Sequence, residues 1–589
     1  MPRTTSSPTV RRSAASSLAL AAGLAFAVPA PPAGAQEAAP PAAAEPGREP
    51  GEVFFEQLDV HVVDVDVYVT DSDGRPVTGL TVDDFELFED GRPVEITNFY
   101  AVAGSRPRTP APAEEPPRVA AEAGAPPRAE PPAPAVPEDQ RLHLIVFVDN
   151  LHISPFSRNR VVRELQAALH DLLGREDRAM LVTFERSVSV RQPFTSDPRL
   201  IDRALDGIET LSALAVQRNR ERADLLDTLD SARDPLQIQG DVDFYAKSAH
   251  DDLLRSIDAL KQLVGSLGGL PGRKALLYVS DGIPLTPGED LFFLLDQRGS
   301  NAVISSQIQA ARYRTQRDFV ELSAQASASR VTFYTLDARG MVSHSSLSAE
   351  HRGSASSTSN LEADVLHDAN LAAPLQLMAE ETGGLATFNT NNVRGALERM
   401  ARDFDTYYSL GYSPAHHGDG RYYELEVRVK GRRGLTVRHR GGYRDKTLEA
   451  RVTDATLGAL LYGGGGNDLG LRLEVGAGQP QQGRRHLLVP LKVWIPLSKV
   501  TFLPRGTLYE GRLRVAVAVS DGDGALSTPT QMEVPVVVPA AELDRAREQS
   551  FVYEASLMML PGRQRLAVGV RDDVSGEASY LREPVVVGR

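Results

Sequence analysis

The chain has 589 residues, 42% hydrophobic and 24% charged, with a formal net charge of -14. That length allows roughly three to four domains, and the acidic balance argues against general nucleic-acid binding. The absence of cysteine excludes disulfide staples, thiolate metal sites, a cysteine nucleophile and an acylated-cysteine anchor.

Residues 1–35 read as an export signal: Arg3, Arg11 and Arg12 precede an apolar stretch, and Ala33-Gly34-Ala35 offers a small-residue cleavage site. The apolar run falls short of the ~20 residues of a spanning helix. The expected location is secreted, periplasmic or extracellular, with no integral membrane segment after signal cleavage. Residues 36–51, rich in Ala, Pro and Glu, read as a flexible leader.

From Leu58 the rhythm changes. Val63, Val65, Val67 and Val69 alternate with polar positions, the period of a strand with one buried face. The pentapeptide Asp-Gly-Arg-Pro-Val, at 73–77 and again at 90–94, supplies turns between strands. Residues 104–140 are Pro/Ala-rich without an apolar period and read as a disordered linker.

An alternation of strands and helices comes next. A strand at 142–148 leads to a helical face of Val161, Val162, Leu165, Ala168, Leu169 and Leu172. Strands at 179–184 and 188–190 precede a helix near 198–208, and 214–245 read as a polar, weakly helical insertion. Leu253, Ile257, Leu260, Val264 and Leu267 mark one face of a helix that Gly268-Gly269 ends. Strands at 275–280, 331–336 and 385–388 alternate with helices around Phe319, over 375–381 and over 393–403.

After Tyr407 the period returns to two, through Tyr423, Leu425, Val427 and Val429 and a strand at 435–439. Residues 446–466 read as a linker, and 467–589 as strands throughout, a β-sandwich. The stretches 52–103 and 406–445 are each small for an independent core. The expected architecture is therefore α/β plus all-β. A doubly wound, mostly parallel sheet over 141–405 is inserted in a β-sandwich made from those two stretches, and a C-terminal sandwich completes the chain.

Two apolar runs end in aspartate, Asp149 and Asp281. At the carboxyl edge of a parallel sheet, two such side chains can converge on one hard cation. The other reading is that both hold loop backbone and cap helix starts. No Gly-x-Ser-x-Gly elbow, His-Glu-x-x-His motif or phosphate-binding Gly-x-x-x-x-Gly-Lys loop is present, so no enzyme is expected. His416-His417 with Asp419 suggests a metal cluster, against a solvated hairpin. Arg432, Arg433, Arg438, His439, Arg440 and Arg444 form a basic ribbon suited to an acidic partner, or an exposed strand face of alternating charge.

Residues 178–184, Pro271-Gly272-Arg273-Lys274 and Ser280-Asp281-Gly282 resemble core strands and a metal loop of a von Willebrand factor type A domain. More widely, 55–445 resemble the VWFA-related domain family of acidobacterial secreted proteins. The blocks Val77-Thr78-Gly79-Leu80, Asp84-Phe85, Glu89-Asp90-Gly91, Glu381-Thr382-Gly383-Gly384 and Tyr407-Tyr408-Ser409-Leu410-Gly411-Tyr412 occur in the family's order.

The resemblance implies Mg2+ or another divalent cation held by two aspartates, two serines and a threonine, open to a partner's acidic side chain. Asp149 and Asp281 match the aspartates, but Leu151 and Ile153 stand where the serines belong. Thr210 or Ser212 is the candidate for the second loop's hydroxyl. Asn150, His152, Ser154, Thr210, Ser280 and Gly282 are the candidate partner-binding residues around Asp149, Asp281 and Ser212. The function so implied is non-enzymatic adhesion to a protein ligand; the alternative is a metal-free structural scaffold of the cell envelope.

Overall fold

The computed structural model describes residues 62–103, 141–172, 177–212, 214–232, 237–298, 306–341, 357–463, 466–480, 486–522 and 526–588. The expected signal, leader and 104–140 linker lie outside these residues. Contacts divide the chain into two units, His61–Tyr462 and Gly463–Arg589 among the described parts.

In the first unit, strands β1 (Val63–Thr70), β2 (Phe85–Glu89), β3 (Arg92–Val94) and β4 (Asn98–Ala103) come first. Six more follow: β5 (Leu142–Asp149), β6 (Arg178–Phe184), β7 (Val188–Thr195), β8 (Arg273–Ser280), β9 (Val331–Asp337) and β10 (Ala386–Thr387). These six form one sheet in the order β10-β9-β8-β5-β6-β7. All pairs are parallel except β6 with β7.

Every residue of β5 and of β8 is buried, as continuous apolar strands covered on both faces must be. Leu144, Val146 and Val148 pack with α1 (Pro155–Leu172), α2 (Pro198–Ile208) and α9 (Val393–Asp405). Ile145 and Phe147 point the other way, to α4 (Gln239–Leu267), α7 (Gln316–Ala328) and α8 (Ser357–Glu381). The remaining helices are α3 (Leu214–Ser231), α5 (Glu289–Arg298), α6 (Ser306–Ala310) and α10 (Leu448–Tyr462).

Strands β11 (Thr406–Tyr412), β12 (Tyr422–Val429), β13 (Thr436–Arg438) and β14 (Gly442–Arg444) return to the first four. They build two sheets, β13-β1-β11-β4 and β14-β12-β2-β3. The pairing is antiparallel, with Val65 opposite Leu410 and Leu87 opposite Val427. Both sheets contribute to one core that includes Val65, Val67, Phe85, Leu87, Leu410, Tyr412 and Val427.

Three stretches carry more helix than the sequence reading gave them. The supposed linker 446–466 contains α10, whose Val452, Thr456, Ala459 and Leu460 are buried. The polar insertion 214–245 holds α3 and the first turns of α4, where Val242, Ala246 and Ala249 extend the buried stripe of Leu253 and Ile257. The helix expected over 375–381 begins at Ser357 and runs through Pro374. In α10 and the start of α4, alanine and glycine share the packing with a few larger residues such as Val242, Val452 and Leu460, so the apolar period along the chain is sparse.

The second unit contains β15 (Arg472–Val475), β16 (Gln479–Pro480), β17 (Leu487–Pro496), β18 (Leu503–Arg505), β19 (Leu508–Ser520), β20 (Thr530–Pro539), β21 (Ser550–Met559), β22 (Gly562–Asp572) and β23 (Ala578–Val587), with one short helix, α11 (Leu543–Arg547). Two antiparallel sheets share a core in which Val489, Leu491, Val493 and Ile495 of one face Val515, Leu566 and Val568 of the other.

Candidate functional site at the carboxyl edge

Strands β5 and β8 are parallel neighbours, with Val148 opposite Val279, so Asp149 and Asp281 leave the sheet at the same edge. The two loops are stitched together: Asp281 N donates to the His152 carbonyl at 2.8 Å, and Ser154 N donates to Asp281 Oδ2 at 2.8 Å. Ser154 also starts α1. Its Oγ accepts from Ser157 N at 3.3 Å, and Pro155 occupies the first helical position, where a missing N–H costs nothing.

The two carboxylates have different surroundings. Asp149 is fully buried. Its Oδ1 accepts from Leu151 N at 3.1 Å and His152 N at 3.3 Å. Its Oδ2 meets His152 Nδ1 at 2.8 Å and accepts from the Tyr278 hydroxyl. Burial, with the Asp149 charge beside it, pushes the Tyr278 hydroxyl well above its usual range. Asp149 therefore holds its own loop, and it is absent from the cavity lining at this edge.

Asp281 does line that cavity, which has a volume of about 410 Å³. Its Oδ1 is buried with no hydrogen-bond partner. Burial raises the Asp281 carboxyl above its ordinary range, against the opposing pull of Ser154 N–H and the Ser157 and Ser154 hydroxyls. Those two hydroxyls are 2.9 Å apart. The sequence motif places serines at 151 and 153; the loop instead delivers Ser154 and Ser157 from the first turn of α1. Ser157 was missed, although a serine three residues past a proline-flanked N-cap is a signal of a hydroxyl on that turn.

The other candidates take supporting positions. Asn150 Nδ2 donates to the Ser212 carbonyl at 2.8 Å, so these two meet through Ser212's backbone rather than its hydroxyl. Asn150 Oδ1 accepts from Arg158 Nη1 at 2.5 Å, and Arg158, itself buried, also binds the carbonyls of Leu211 and Glu209. The Thr210 hydroxyl is exposed and donates back to the Gly207 carbonyl. The Ser280 hydroxyl accepts from Gly282 N at 3.1 Å. Gly282 has a φ of 103°, and a Cβ there would come within 2.7 Å of Leu371 Cβ, so the turn after Asp281 requires glycine. His152 lines the cavity beside Asp281.

The far wall comes from residues that the sequence did not single out. Arg222 on α3 donates through Nε to Asp290 Oδ2 at 2.8 Å. Burial works against the Asp290 charge, but His367 and the Arg222 guanidinium outweigh it and hold the carboxyl well below the usual carboxylate range. Arg339 is clamped by Asp337 and Asp368. Tyr245 also lines the cavity, its hydroxyl pushed up to about 12 by burial and the Asp290 charge. The cavity thus has a carboxylate-and-hydroxyl end and an end with positioned guanidiniums.

No family model matches the chain, and no curated protein matches it. Among solved structures, a von Willebrand factor type A protein from Catenulispora acidiphila is 11% identical, covering 77% of this chain and 67% of its own, with a TM-score of 0.19. An aerotolerance-related membrane protein from Bacteroides fragilis NCTC 9343 is 12% identical, covering 45% of this chain and 98% of its own, with a TM-score of 0.22. BatB from Bacteroides thetaiotaomicron gives 12% identity, the same coverages and a TM-score of 0.20. Among the described residues, no helix is long and apolar enough to cross a membrane.

Proposed function

We propose that this chain is a secreted, non-enzymatic binding protein. In this reading an A-like domain with a doubly wound sheet is inserted in a β-sandwich, a second sandwich comes after it, and the carboxyl-edge cavity receives an acidic side chain of a protein ligand. The observation that carries it is Asp281 Oδ1, a buried carboxylate oxygen without a partner at the wall of a cavity. Such an atom is costly unless something answers it.

A divalent cation is the natural answer. Asp281, Ser154 and Ser157 would hold it, with water and the partner's carboxylate filling the remaining positions of a hard, oxygen-seeking ion. Arg222 and Arg339, each paired with aspartates, hold guanidinium groups at the far wall, where an N–H can donate to an anionic visitor. One observation favours the second reading, a metal-free envelope scaffold: both oxygens of Asp149 already have donors within its own loop.

Thermal melts of the chelator-treated chain separate the two. Mg2+ at about 100 times its Kd is expected to add roughly 2.7 kcal/mol of stability, and Asp281→Asn is expected to abolish that gain. Without the ion, Asp281→Asn should be at least as stable as the parent, because burial already disfavours the charged carboxyl. A parent chain indifferent to Mg2+ and Mn2+ would leave the scaffold reading standing.

A further inference from the structure

A second cluster lies away from that cavity, where the turn 413–421 between β11 and β12 meets the residue after β14. Pairing of Tyr422 with Arg444 brings the turn beside Asp445, and Asp445 N donates to the Arg421 carbonyl at 2.9 Å. His416 Nδ1 is 3.0 Å from Asp445 Oδ2, and His416 Nε2 is 3.2 Å from Glu89 Oε1. The imidazole stacks flat on Tyr423, with centroids 3.5 Å apart and planes 1° from parallel. Among the described residues, His416, Asp419 and Asp445 form a group of three potential ligands whose donor atoms all lie within 4.8 Å of one another.

The chemistry of the ring is what makes this a site. A neutral imidazole has one N–H and one lone pair, yet both nitrogens here face carboxylates. With no ion, a charged imidazole donates from both nitrogens, Nε2–H to Glu89 and Nδ1–H to Asp445; a cation would take the place of the Nδ1 proton, between His416, Asp445 and Asp419. That is the arrangement of a metal-bound histidine, whose second nitrogen is held by an outer carboxylate. The Tyr412 and Tyr443 hydroxyls donate to Glu89 Oε2 and so fix that outer carboxylate in turn. The Asp445 side chain is fully buried, whereas that of Asp419 is 31% exposed and is held by Arg421 N at 2.8 Å and the Tyr423 hydroxyl at 2.5 Å.

The donors that reach these carboxylates, Gly418 N and Arg451 on Asp445 and Arg421 N and Tyr423 on Asp419, need not leave, because each carboxylate oxygen has more than one lone pair. One imidazole and two carboxylates suit a borderline cation such as Zn2+ better than Mg2+ or Ca2+.

We infer that His416, Asp419 and Asp445 form a structural site for a Zn2+-like divalent cation, with Glu89 as the outer carboxylate that orients His416. The ion would clip the turn after β11 to the end of β14 and, through Glu89, to β2 from the beginning of the unit. In a chain without cysteine, such a clip takes the place of a disulfide.

The test uses the full chain stripped with chelator, then titrated with Zn2+ by calorimetry and by thermal melt. One equivalent is expected to bind in Asp281→Asn, which lacks the carboxyl-edge carboxylate and so isolates this site, and the further variants are made in that background. Asp419→Asn, at a partly exposed position where folding is retained, should weaken binding at least tenfold. Glu89→Gln should weaken it by roughly tenfold to a hundredfold. Replacement of Zn2+ by Co2+ should give a visible spectrum that Asp419→Asn alters. The assignment is overturned if Asp281→Asn binds no Zn2+, or if adding Asp419→Asn and adding His416→Gln both leave its Zn2+ binding unchanged.

Discussion

Asp149 and Asp281 end adjacent strands of the same sheet, and the backbone path beyond each aspartate sets them apart. After Asp149 the chain turns back so that Leu151 N, His152 N and the His152 ring surround the carboxylate. After Asp281 the left-handed Gly282 carries the backbone away, leaving Oδ1 without a partner. Strand ends are legible in a sequence because an apolar run stops; which donors curl round a carboxylate depends on loop geometry, which is not. The same holds for Ser154 and Ser157, displaced from the spacing of the resembled motif yet next to Asp281.

A second residue carries a pH signature. Burial, with Lys274, Arg178 and Arg141 adding positive charge, pushes the His143 imidazole down to about 4. The unfolded chain binds this proton near 6.5 and the folded chain does not, so between those values the unfolded state holds more protons and stability falls as the pH drops. The full penalty, about 3 kcal/mol, is present below pH 4. Urea denaturation should show the parent losing about that much more than His143→Gln between pH 7 and 4. Equal losses would contradict the assignment.

At the scale of elements, Arg273 opens β8 and reaches the β13-β1-β11-β4 sheet. It donates through Nε to Asp66 Oδ2 at 3.1 Å and through Nη2 to the Tyr68 hydroxyl at 2.8 Å. Its guanidinium carbon lies 3.7 Å from the centroid of the Tyr407 ring. Arg273→Met would leave Asp66 without its ion-pair partner, and removing one member of a buried pair costs about 3–5 kcal/mol. Because the Asp66 side chain is 23% exposed, the lower end, about 3 kcal/mol, is expected. The double variant with Asp66→Asn should recover part of it in a denaturant-based cycle. A neutral Arg273→Met would show that this contact does not join β8 to β1.

The sequence marked the strand that Arg273 begins and the strand that holds Asp66, but a contact across 207 positions leaves no local trace. Helix α10 was hidden for a related reason. A Cβ on Gly269 would stand 2.5 Å from Ala455 Cα, so the glycine pair that marks the end of α4 is also where α10 packs against it. Small residues at a close contact look like linker composition when read along the chain.

At the scale of the whole molecule, the most consequential pairing joins stretches that the six-stranded sheet separates in sequence. Among the described residues, β1 pairs only with β11 and β13, and β4 only with β11. The period-two pattern of Val63 to Val69 showed that one face is buried but could not say against what; the shortage of strands on either side of the helical region pointed to the partner. Leu410 is fully buried in the shared core, opposite Val65. Leu410→Ala should therefore cost about 2–5 kcal/mol. In hydrogen exchange of the full chain, the amides of Val63–Thr70 should lose protection together with those of Thr406–Tyr412, because opening one strand removes the ladder partner of the other. Leu487–Pro496 belong to the other unit, with its own core, and serve as the internal reference whose protection stays unchanged. Loss confined to Thr406–Tyr412, with Val63–Thr70 as protected as before, would mean that the two ends of the first unit are not one cooperative sheet.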